Sequence, residues 1–165
     1  MSDGISRYTA SAVSLGVFAL DRWSKHVVET RFSAFDSRTV IPGFFDIVKS
    51  QNPGVAFGLF SESTSRFRTG LLIAFSLLAV AILAGILWRI EKLDRWTAAG
   101  LSLIFGGALG NVYDRVVTGT VTDFLDFYMG TRHWYTFNLA DSAICVGASL
   151  LLLGMRKPGN NLAGA

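Results

Sequence analysis

Apolar residues gather in four long stretches, and the chain turns abruptly polar between them. The first stretch covers about 10–28 and carries Asp21, Arg22 and Lys25 toward its end. The second, 69–88, has no charge over about twenty residues, enough to cross a hydrocarbon core of about 30 Å. The third covers 97–113, and the fourth covers 137–155 and ends at Arg156-Lys157-Pro158-Gly159. Trp88 and Trp96 bracket the charged turn between the second and third stretches, as aromatic residues do at a membrane interface. Gly106 and Gly110 are four apart in the third stretch, with Gly100, Gly107 and Ala108 nearby. Small residues at that spacing let helix backbones approach closely in lipid.

The connections have their own periodicities. Between the first and second stretches, Thr39-Val40-Ile41 precedes Pro42-Gly43, partial alternation follows over 44–51, and Asn52-Pro53-Gly54 is a turn signal before apolar 55–60. Short strands between such turns predict a small β-meander over about 37–60, too small to stand alone. Phe44, Phe45, Phe57 and Phe60 supply its lipid-facing side. Between the third and fourth stretches, 121–130 is amphipathic and aromatic, and the reading is a short interfacial helix. The predicted fold is a membrane all-α protein: a four-transmembrane-helix bundle with a small extracytoplasmic β-region, in one domain over 1–165.

Composition agrees. The 165 residues are 51% hydrophobic and 16% charged, where soluble domains carry roughly a quarter charged residues. Mean hydropathy is +0.43. The net charge of +3 is not a nucleic-acid signal, because no basic cluster interleaved with aromatics accompanies it. The single cysteine, Cys145, excludes an internal disulfide and a cysteine-based zinc site. His26 and His133 lack ligand spacing. No metal and no cofactor are expected. The first stretch is read as a retained span rather than a cleaved leader, since Asp21, Arg22 and Lys25 occupy the cleavage region.

Four crossings place both termini on one side of the membrane. They place Asp21, Asn52, Asn111, Asp114, Arg115, Asp123, Asn138 and Asp141 on the other. Asn138 and Asp141, three apart, share a helix face. If Asp123 and Asp141 meet in a partly dry site, one keeps a proton and the two titrate as a pair. Such a pair activates water on one carboxylate and polarises a carbonyl with the other. A carboxylate-only cation site built from Asp114, Asp123 and Asp141 is disfavoured by neighbouring Arg115, which more readily pairs an acid or holds a polar backbone group. Helix capping and interfacial ion pairing account for the same acids equally well on spacing alone. A small proton-coupled transporter and a membrane adaptor are the rivals. A relay calls for acids along the bilayer depth, and the second and fourth stretches have none there. The dense basic turn at 89–95, together with Arg156 and Lys157, favours that side as cytoplasmic, though the first loop carries as many basic residues.

Several ordered blocks resemble the bacterial lipoprotein signal peptidases (signal peptidase II). They are Asp21 with Ser24-Lys25, Asn52-x-Gly54-x-Ala56-Phe57, Gly106-Gly107-Ala108-Leu109-Gly110-Asn111 with Tyr113-Asp114-Arg115, Val121-x-Asp123-Phe124, and Phe137-Asn138-Leu139-Ala140-Asp141-Ser142. The resemblance implies an aspartyl endopeptidase that cuts a prolipoprotein before its diacylglyceryl-modified cysteine. It places the catalytic pair on Asp123 and Asp141. Asp21, Asn52, Asn111, Asp114, Arg115 and Asn138 take supporting roles, with Gly54 of the loop block beside them. It further implies a multi-pass protein of the bacterial inner membrane with cytoplasmic termini and an extracytoplasmic site. The expected partners are lipid-modified prolipoproteins and membrane lipids, and the expected state is a monomer. Arg22 departs from the family's usual glutamine, and Pro53 stiffens the loop turn; both are expected at the rim of the site.

Overall fold

The computed structural model describes residues 4–34, 36–54 and 66–155. Four helices carry it: α1 (Arg7–Arg31), α2 (Arg66–Leu87), α3 (Arg95–Thr118) and α4 (Leu139–Met155). Four strands, β1 (Ser37–Ile41), β2 (Phe45–Asn52), β3 (Val121–Met129) and β4 (Arg132–His133), form one antiparallel sheet in chain order. Each apolar stretch of the sequence is thus a helix. Thr69–Leu87 within α2 is long and apolar enough to cross a membrane, and the apolar part of α4, Leu139–Gly154, is shorter. Phe57, Phe60 and the tail after Met155 lie outside the described residues.

The helix boundaries follow from local chemistry. Ser6 caps α1 by accepting from the Thr9 amide at 3.1 Å. Asp94 caps α3 by accepting from the Trp96 and Thr97 amides at 3.0 and 3.2 Å. Both satisfy amides that the first helical turn leaves free. Gly119 ends α3 in the left-handed region, at φ 79°, where a Cβ is strained. Lys49 of β2 donates to the Glu29 and Phe32 carbonyls, each at 2.9 Å, so the sheet closes the C-terminus of α1.

Residues 121–130 correct the sequence reading. They form β3 and the turn after it, not an interfacial helix. Val121, Thr122, Phe124, Phe127 and Tyr128 are β-branched or aromatic, types that fit a pleated surface. The edge of β2 supplies a partner, with Ser50 opposite Asp123 and Phe45 opposite Phe127. Phe127 stacks on Phe45 at 4.6 Å and on Phe137 at 5.7 Å between ring centroids. Phe45 is therefore half-buried in this stack, while Phe44 remains exposed.

Close packing joins α3 to α1 and α4. A Cβ at Gly100 would lie 2.6 Å from the Gly147 carbonyl oxygen, and one at Gly147 would lie 2.6 Å from that of Gly100. Ser14 of α1 donates to the Ser102 carbonyl at 2.9 Å, a polar tie of the kind that helps hold apolar helices together. A side chain at Gly147 must therefore push α4 off α3. Gly147→Val is expected to cost about 1–3 kcal/mol and lower the unfolding midpoint in detergent. Gly16→Val is the control, because a Cβ there meets nothing within 4 Å.

Candidate active site

At the sheet end of the bundle, α1 contributes Lys25, whose side chain has no exposure at all. Its ammonium donates to Asn111 Oδ1 at 3.0 Å and forms ion pairs with Asp21 Oδ2 at 2.9 Å and Asp114 Oδ2 at 2.8 Å. Asp21 lies one turn below on the same helix, and α3 brings Asn111 and Asp114. The other oxygen of Asp21 accepts from the Ala140 amide at 3.0 Å, tying α1 to the first turn of α4. A Cβ at Gly110 would collide with the Asp21 carboxylate. Glycine there lets α1 and α3 approach closely enough to bury the pair.

The orientation of Asn111 follows from its neighbours. Its Oδ1 receives hydrogens from Lys25 and, at 3.2 Å, from Asn138 Nδ2. Its amide nitrogen must face the other way, and it donates to Asp141 Oδ1 at 2.8 Å. Asn138 and Asp141 cap α4 reciprocally. The Asp141 amide donates to Asn138 Oδ1 at 3.0 Å, and the Asn138 amide donates to Asp141 Oδ2 at 3.2 Å. That is a capping box with aspartate at its third position. Asn138 Nδ2 also donates to Asp123 Oδ1 at 2.7 Å, so one asparagine bridges the two carboxylates.

Asp123 comes from β3 and is almost completely buried. Its second oxygen accepts from Asn52 Nδ2 at 2.9 Å. Asn52 is held by its own turn, because its Oδ1 accepts from the Gly54 amide at 2.8 Å. Gly54 takes φ 80° there. Burial pushes the Asp123 carboxyl up to about 6. The hydrogen bonds from Asn52 and Asn138 oppose that rise, the Asp141 charge adds to it, and Lys25 counters it.

The structure thus gathers Asp21, Asn52, Gly54, Asn111, Asp114, Asn138, Asp123 and Asp141 into one region. Arg115 is joined less directly: its guanidinium donates to the Asn111 carbonyl at 3.2 Å. Asp114 turns to Lys25 and Arg22, so it is not a third carboxylate facing the pair. One residue absent from the predicted site belongs to it, and another, expected at its rim, is tied into its network. Lys25 is its hub, and the signal was its four-residue spacing from Asp21 on one helix face. Arg22 is not at a rim contacting solvent alone: it pairs with Asp114 and lies over the Tyr113 ring at 4.6 Å.

The family model for signal peptidase (SPase) II matches residues 13–157. The lipoprotein signal peptidase of Solibacter usitatus is 53% identical over 152 residues, covering 92% of this chain and 93% of that protein. The one from Maridesulfovibrio salexigens is 35% identical over 150 residues, covering 91% and 96%. A bacterial membrane enzyme solved by the in meso method at 2.3 Å superposes with a TM-score of 0.80 at 27% identity, covering 99% of both chains. A second, solved at 1.9 Å, gives 0.79 at 26% identity, covering 95% of this chain and 98% of that one.

The hydrogen bond from Asn52 favours the ionised form of Asp123. Asn52→Ala is therefore expected to move Asp123 ionisation to higher pH, by roughly one unit. An infrared titration of the carboxyl band that disappears in Asp123→Asn reads this directly. A shift to lower pH, or none, would show that Asn52 does not hold the carboxylate.

Proposed function

The chain belongs to the signal peptidase II family, and from that premise we propose that it is an aspartyl endopeptidase whose working pair is Asp123 and Asp141. It removes signal peptides from prolipoproteins, as its relatives' name states of them; the transporter reading is not favoured. In this proposal it cuts before the diacylglyceryl-modified cysteine.

The observation that carries the mechanism is the bridge through Asn138. It holds Asp123 by its amide nitrogen and Asp141 by its amide oxygen and backbone amide. Asn111 adds a donor to Asp141, to which we assign the part of the base. Asp123, with its proton affinity raised by burial, is the better acid. Entry of an apolar substrate excludes water and favours the protonated form further. Asp141 takes a proton from water, and the water oxygen attacks the scissile carbonyl carbon. Asp123 gives its proton to the carbonyl oxygen. As the tetrahedral intermediate collapses, the C–N bond breaks and the amine nitrogen takes the proton that Asp141 holds. Asp123 recovers its own from the intermediate's hydroxyl. The products are a signal-peptide carboxyl group and a free cysteine amine.

The placement follows in the same proposal. The four helices cross the bacterial inner membrane, both termini are cytoplasmic, and the site faces outward. The polar ends of α1, α3 and α4 then sit at one interface with the sheet, where a substrate anchored by its lipid presents its scissile bond. The protein works as a monomer.

Asp123→Asn and Asp141→Asn are each expected to lower kcat for a diacylglyceryl-modified prolipoprotein by a factor of about 10³ or more. A chelator leaves the native rate unchanged. Retained cleavage by both variants would return these acids to a capping role. Loss of native activity with chelator would replace the metal-free route.

A further inference from the structure

Arg22 stands beside the site without touching either carboxylate of the pair. Its guanidinium joins Asp114 on the oxygen that Lys25 leaves free. The same side chain lies over Tyr113, 4.6 Å from the ring centroid, and Tyr113 meets Phe18 edge-on at 6.1 Å. Glu29, one face along on α1, is 3.9 Å away, half-buried, and bound to the Thr122 hydroxyl at 2.7 Å. The network therefore joins two buried carboxylates, Asp21 and Asp114, to buried Lys25 and half-buried Arg22, while half-buried Arg115 turns instead to the Asn111 carbonyl. Without Arg22, Lys25 alone would be paired with both carboxylates, and the added negative charge would be separated from Asp141 by Asn111 alone and from Asp123 by Asn111 and Asn138. Charge in such a place is poorly screened.

We propose that Arg22 is a positioning residue whose charge balances Asp114 and keeps the buried network neutral around the two catalytic aspartates. It also frees Lys25. With Asp114 shared between two cations, the Lys25 ammonium keeps its hydrogen bond to Asn111 Oδ1, which turns the Asn111 amide nitrogen onto Asp141. Arg22 suits the task better than lysine in one respect, since its flat guanidinium also lies on Tyr113. The charged groups around it are Asp114 from α3 and Glu29 from α1. Those around Asp123 are Asp141 from α4 and Lys25 from α1; its β2 neighbour Asn52 is neutral.

The inference rests on the assignment of Asp123 and Asp141 as the working pair, so its test has a reading independent of cleavage. The infrared titration of Asp123 is compared among the native chain and four variants. Arg22→Gln leaves an uncompensated Asp114 and is expected to move Asp123 ionisation to higher pH by roughly half a unit. Asp114→Asn leaves an excess cation and moves it to lower pH. Arg22→Gln with Asp114→Asn restores the balance and the native titration, and Arg22→Lys keeps it. Opposite displacements cancelled in the double variant support the charge role, and the double variant compared with Asp114→Asn carries the test should Arg22→Gln fold poorly. Displacement in the same direction by both single variants overturns it, as does an Arg22→Lys displacement equal to that of Arg22→Gln. The pH profile of prolipoprotein cleavage follows the same order. Absence of cleavage by the native chain counts against the peptidase assignment, while the titration still reports on Arg22.

Discussion

A fully buried ammonium is the constraint that the rest of the site obeys. Removing Lys25 from water is costly unless its charge is matched nearby. The fold meets that demand with groups from two helices: Asp21 from α1 itself, and Asn111 and Asp114 from α3. The glycines of α3 make it possible, because α1 approaches at Gly106 and Gly110 where any side chain would intrude. Once Lys25 fixes the oxygen of Asn111, the direction of every subsequent hydrogen bond is settled. Asn111 donates to Asp141, and Asn138 donates to Asp123 while accepting from the Asp141 amide. Polarity is thus handed from a buried cation, through two asparagines, to two carboxylates.

The sheet completes what the helices begin. β3 leaves α3 through the left-handed turn at Gly119 and delivers Asp123 beside α4. β2 delivers Asn52 to its other side. The same β2 closes α1 through Lys49. Helices and sheet are therefore one device, and the acidic pair sits where they join.

Much of this was legible in the sequence. The four helices follow from apolar length, and β1 and β2 from alternation between Pro-Gly and Asn-Pro-Gly turns. Asp123 and Asp141 stood out as acids at the ends of apolar stretches. The strand at β3 was misread because Asp123 and Asp126, three apart among aromatics, share one face of a helix, whereas the strand puts them on opposite faces. What decides it is the open edge of β2, a tertiary fact no local pattern contains. Lys25 was passed over for a related reason: a lysine near the end of an apolar helix usually reaches for water. Only the meeting of α1 with α3 shows that it points inward.

Asn138 performs two jobs with one side chain. It caps the first turn of α4 and grips Asp123, while its partner in the cap, Asp141, is the other acid. The start of α4 thus forms together with the arrangement of the two acids, and with that turn frayed the pair is not assembled. Fraying of this one helix end and loss of the paired geometry are in this way a single event.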